Sequence, residues 1–127
     1  PGLIVRTELT QDGGHAAALK LLNRVDRPTA IFAGNDLQAF GVYQAARALG
    51  LRIPADLSVV GFDDLPIAGL VDPPLTTVRQ PLVEMAAAAT ELALALGRGE
   101  RTPQVGLELA TTLTVRDSTA PPAEVSP

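Results

Sequence analysis

Apolar residues along this chain come in two alternating patterns. LIVRTEL at 3–9, TAIFAG at 29–34 and LSVVGF at 57–62 are short runs rich in β-branched or aromatic residues and bounded by turn formers, which predicts strands. Between them the apolar positions take helical spacing. Ala18, Leu21, Leu22 and Val25 recur at i, i+3, i+4 and i+7 after the TQDGG turn, and Arg27-Pro28 ends that stripe. LQAFGVYQAARAL then follows Asn35 or Asp36 as N-cap and stops at Gly50. Pro73 and Pro74 precede a further strand, LTTVRQ. Pro81 stands at the first position of a long helix, where its missing N–H costs nothing, and Leu82, Met85, Ala89, Leu92 and Leu96 continue it to Gly97 and Gly99. Met85 reads as core filling within that stripe. TTLTVRDS at 111–118 predicts another strand, and TAPPAEVSP at 119–127 has the composition of a disordered tail.

Buried strands separated by helices of about a dozen residues indicate an α/β fold, a parallel sheet flanked by helices. In an open sheet of this kind the binding crevice lies outside the carboxyl ends of the strands. Polar residues collect there: Thr10 and Asp12 after the first strand, Asn35 and Asp36 after the second, Asp63 and Asp64 after the third. The adjacent pair in VVGFDDLPIAGL could serve as metal ligands, as a catalytic dyad, as hydrogen-bond acceptors for a polar ligand, or as turn chemistry alone. Asn and Asp at strand ends are also frequent helix caps, Asp36 foremost here.

Composition removes several classes. With 127 residues, 46% of them hydrophobic, the chain builds one core. Ten basic residues are scattered singly among fourteen acidic ones, for a net charge of -4, so no basic footprint for nucleic acid is present. There is no cysteine, and the lone His15 cannot build a metal site by itself, so neither metal nor cofactor is expected. No Ser-His-Asp or Cys-His arrangement, P-loop or GxGxxG is spelled out, which argues against an enzyme. A phosphoacceptor domain would need a lysine at a strand end, and the single lysine, Lys20, falls inside a helix. No apolar run is long enough for a membrane span and no export signal opens the chain, so a cytoplasmic location is expected. Starting on Pro1, the chain reads as a piece of something longer.

RPTAIFAGNDLQAFGVYQAARALGLRIPADLSVVGFDDLPIAGLVDPPLTTVRQP, residues 27–81, resembles the effector-binding region of the lactose-repressor (LacI/GalR) family of transcription regulators, and the likeness runs from about residue 9 to residue 118. The resemblance implies a type I periplasmic-binding-protein fold, two α/β lobes around a ligand cleft, of which this chain is a truncated part. Residues 1–80 would form the C-terminal lobe, 81–109 a crossover helix and strand belonging to the other lobe, and 110–118 a return strand. The helix at 82–97 would then lack its natural packing partners. The helix-turn-helix headpiece, the sole route to operator DNA, would lie outside the chain. The expected ligand is a small effector, a carbohydrate or related polar molecule.

Carried over by position, Asp63 would accept hydrogen bonds from ligand hydroxyls or ring N–H groups, and Asn35 would contact sugar hydroxyls. Leu9 falls where members often place an aromatic ring. Asp36 joins this set from its place beside Asn35, whereas Asp64 would cap the following turn. Phe40, Tyr43, Leu70 and Val71 correspond to the contact of a homodimer; for Phe40 and Tyr43 the alternative is a second buried face within one lobe. A solute-binding protein of a sugar transport system shares the fold and is the competing reading.

Overall fold

The structure is a computed structural model and describes residues 2–101 and 106–123. In chain order the elements are α1 (Gln11–Leu22), β1 (Ala30–Phe32), α2 (Asp36–Ala48), β2 (Ser58–Asp63), a 3-10 turn (Pro66–Gly69), β3 (Thr76–Arg79), α3 (Leu82–Gly97) and β4 (Thr112–Thr114). They form the expected α/β architecture: a four-stranded sheet in the order β1-β2-β3-β4, with β1/β2 and β2/β3 parallel.

Local chemistry sets the helix ends. Thr10 caps α1 by accepting the Gly13 N–H at 3.0 Å, and Asn35 caps α2 by accepting the Gln38 N–H at 2.8 Å. The two helices cross closely because each presents a glycine at the contact. A Cβ on Gly14 would strike the backbone of Gln38, and one on Gly41 would strike the backbone of Gln11 and His15.

The chain divides into two compact units, one made of the residues up to Arg79 and from Leu113 onward, the other of Gln80–Thr112. The first holds the hydrophobic core, in which Ala39, Ala45, Leu57, Val59, Ala68 and Leu75 are fully shielded. Within the second, α3 spans the residues its Pro81 and Gly97 predict, yet none of its residues is buried; Val83 is 80% exposed and Leu94 56%.

Three expectations need correction. Residues 3–9 form no strand, because a strand requires a ladder partner and β1, at the edge of the sheet, is paired with β2 alone among the described residues. Val25 does not extend the apolar stripe of α1; the helix ends at Leu22 and Val25 is fully exposed. The last strand covers only Thr112–Thr114, and the chain beyond it is a hydrogen-bonded strap: Ser118 Oγ donates to the Val59 carbonyl at 2.6 Å and accepts the Thr76 N–H at 2.8 Å, and Ala120 N–H donates to Ser58 Oγ at 3.0 Å. The predicted tail therefore begins inside this strap, and its residues 124–127, like residues 102–105 of the predicted crossover, lie outside the described residues.

Candidate functional site

The parallel register aligns the strand ends. Phe32 pairs with Val60 and Val60 with Thr76, and three residues further on Asp63 pairs with Arg79. Asn35 stands the same three residues beyond Phe32. Because β1 and β2 are parallel neighbours, Asn35, just past the end of β1, and Asp63, at the end of β2 and paired with Arg79, lie at the same carboxyl edge, where an open parallel sheet places its ligand.

The start of α2 draws a further segment to this rim. Asn35 Nδ2 donates to the Leu9 carbonyl at 3.1 Å, and Gln38 Nε2 donates to the Glu8 carbonyl at 2.8 Å, while Gln38 Oε1 accepts the Gly34 N–H at 2.9 Å. Leu9 is thereby held beside Asn35 and is 61% exposed. Asn35 and Asp63 are both half-buried, and their side chains carry an amide and a carboxylate. An acceptor, a donor and an apolar surface on one rim suit a small molecule rich in hydroxyl groups.

Asp36 is placed differently from Asn35. It is completely buried, Oδ2 accepting the Leu65 N–H at 2.8 Å and Oδ1 the Thr77 hydroxyl at 2.6 Å. Both oxygens face inward, so this carboxylate braces β3 and the segment after β2 and has no surface to offer a ligand. Gly61 makes room for it, since a Cβ there would collide with Asp36 Oδ1.

Asp64 does not cap the turn through its side chain as expected. It is engaged by Arg116, Nη2 to Oδ1 at 2.6 Å, and by the Thr114 hydroxyl at 3.3 Å, with Arg79 Nε more distant at 3.8 Å. Arg116 also donates from Nη1 to the Leu75 carbonyl at 2.7 Å. Among the described residues no buried side-chain polar atom lacks a hydrogen-bond partner, and no group of three or more His, Asp or Glu side chains could hold a metal ion. No helix there is long and apolar enough to cross a membrane.

Phe40 is corrected outright. At 8% exposure it belongs to the core of its own unit, the second-buried-face alternative, because α2 is covered on two sides. Tyr43 is half-buried and donates its hydroxyl to the Pro73 carbonyl at 2.8 Å. Leu70 is 83% exposed and Val71 half-buried. A concavity of about 310 Å3, lined mainly by apolar residues such as Val5, Ala18, Leu21, Ile31 and Val42 together with Thr7 and Gln38, includes neither Asn35 nor Asp63.

Gln38, Gly61, Thr77, Arg79 and Arg116 were not singled out by sequence reasoning. Gln38 alone left a clear signal: Asn-x-x-Gln at a helix start is a capping-box pattern, here reaching back to Gly34 rather than to the cap residue itself.

The model of the periplasmic binding protein-like domain matches residues 2–119. The HTH-type transcriptional regulator DegA of Bacillus subtilis is 44% identical over 94% of this chain and 35% of its own length. A regulatory protein of the LacI family from Chloroflexus aggregans superposes with a TM-score of 0.84 at 40% identity, over 94% of this chain and 43% of that one. The transcriptional regulator CelR in complex with cellobiose gives a TM-score of 0.83 at 39% identity, over 88% of this chain and 34% of that one. The chain spans about a third of the length of the curated regulators it matches. It belongs to the periplasmic binding protein-like domain family, in the form carried by the effector-binding region of LacI-type regulators.

Proposed function

We propose that this chain supplies one wall of the effector site of a LacI-type transcriptional regulator, with a carbohydrate as effector. The observation that supports the reading is the parallel pairing of β1 with β2, whose carboxyl ends lead into Asn35 and Asp63 on one edge of the sheet. Asp63 accepts from sugar hydroxyls, each charge-assisted bond contributing about 1.5–3 kcal/mol, Asn35 donates from its amide, and Leu9 covers an apolar ring face. The cellobiose held by the related CelR supports a carbohydrate over other polar ligands.

Residues 1–80 and 110–118 belong to one lobe, whereas α3 and the segment after it, to residue 109, belong to the other, which accounts for a leucine-rich helix with no buried residue. The regulator is a cytoplasmic homodimer without catalytic activity, its contact including Leu70, Val71 and the accessible edge of Tyr43. It reaches operator DNA through a headpiece outside this chain. Effector binding between the lobes favours one of two arrangements and thereby changes operator affinity.

Calorimetric titration of the complete regulator with cellobiose, ribose and lactose tests this. At least one sugar should bind, and Asp63→Ala should remove that binding while leaving the fold intact. Unchanged affinity in Asp63→Ala would refute the assignment.

A further inference from the structure

Two consecutive residues without glycine's freedom, Asp63 and Asp64, adopt φ of 119° and 58° at the end of β2. L-residues rarely enter this region, and such conformations persist only where surrounding contacts over-determine them. Those contacts are identifiable. On the far side of the turn the Leu65 N–H is held by buried Asp36. Within the turn the Asp64 side chain, only 7% exposed, is gripped by Arg116 at 2.6 Å, and Arg116 is itself fixed by its bond to the Leu75 carbonyl and by its own N–H on Thr76 Oγ1 at 2.9 Å.

We infer that Arg116 is a positioning residue for the effector site: by locking Asp64 inward it holds the two-residue left-handed turn that turns Asp63 toward the rim. The inference rests on the reading of Asp63 as the effector's acceptor. Adjacent carboxylates repel if both face one way, and pairing one of them with a guanidinium separates their directions. A planar fork suits this role better than an ammonium, because one guanidinium spans Asp64 and the Leu75 carbonyl together. Arg79, with its side chain 68% exposed and 3.8 Å from Asp64, is a weaker contact and does not substitute for it.

Backbone chemical shifts and HN–Hα couplings of Asp63 and Asp64, measured by NMR on this chain, read the turn directly, while α2 amide signals report whether the fold survives. Arg116→Met should move both residues toward extended-chain values, Arg116→Lys should restore them in part, and Arg79→Met should leave them as they are. Asp64→Asn, a milder change, gives the same reading if Arg116→Met fails to fold. Wild-type shifts at Asp63 and Asp64 in both Arg116→Met and Asp64→Asn would overturn the inference.

In the complete regulator, with whichever of cellobiose, ribose or lactose binds it, Arg116→Met should weaken affinity about tenfold, the loss of one charge-assisted bond. Arg116→Lys should lie between. If Asp63→Ala abolishes binding but Arg116→Met does not weaken it, the positioning role is wrong. If the turn shifts in Arg116→Met while Asp63→Ala binds sugar normally, Arg116 holds the turn and the assignment of Asp63 fails instead.

Discussion

Helices α2 and α3 invert the usual link between apolar composition and burial. In α2, thirteen residues long, Asp36 and Gln38 are buried together with Ala39, Phe40, Val42 and Ala45. In α3, sixteen residues long and made largely of Ala and Leu, nothing is buried. Helix propensity belongs to the segment, and both segments have it. Burial belongs to the neighbours. α2 lies against α1 and the sheet, and its polar residues go inside because each finds a partner there: Thr77 and Leu65 for Asp36, Gly34 and Glu8 for Gln38.

Substitutions on the two helices should therefore diverge sharply. Phe40→Asp places an unpaired carboxylate in the core and removes the ring; a loss of about 4 kcal/mol is expected, read as a collapse of the denaturation midpoint. Were Phe40 only a contact between copies, the monomer's midpoint would stay put and only the sedimentation behaviour would change. Gly41→Val wedges two methyl groups against the backbone of α1 and should cost about 3 kcal/mol; a neutral result would mean the helices part more easily than their glycine contact implies.

Tyr43 tests the packed side of α2 without disturbing it. Burial, reinforced by the nearby Asp72 charge, pushes its hydroxyl up to about 12. Because the folded value exceeds the unfolded one, the contribution to stability is complete below about pH 10 and is lost as pH rises toward 12. It is the only tyrosine and there is no tryptophan, so absorbance at the phenolate band reports this one group; a midpoint near that of free tyrosine would show the ring open to water. At the small end, Leu94→Lys on α3 should shift stability of this chain by no more than about 0.5 kcal/mol. A larger loss in thermal melts would reveal a partner for that face.

Much of the fold was legible because local signals agreed with one another. Pro81 and Gly97 bracket α3 as read, and the runs at 29–34 and 57–62 become β1 and β2 with trimmed ends. The failures share one cause, dependence on a distant partner. LIVRTEL has strand-forming residues, but no sequence window records whether a ladder is waiting for it. Phe40 reads as a contact between copies, with a second buried face as the alternative, until its neighbours in the core are in place.

The strand-end rule singled out Asn35 and Asp63, the resemblance added Leu9, and the rule swept in Asp36, whose true partner Thr77 is 41 residues away. Arg116 was invisible for the same reason: 52 residues separate it from Asp64, and a single arginine near the end of a chain carries no spacing to read.

Ser118 has a consequence for biosynthesis. Its hydroxyl joins the beginning of β2 to the head of β3, through Val59 and Thr76, so a ribosome must translate past this position before that cross-link between the strands can form. Until then the nascent polypeptide carries a half-sealed sheet, and the interval set by α3 and the loop behind it becomes the window in which a chaperone has something to guard.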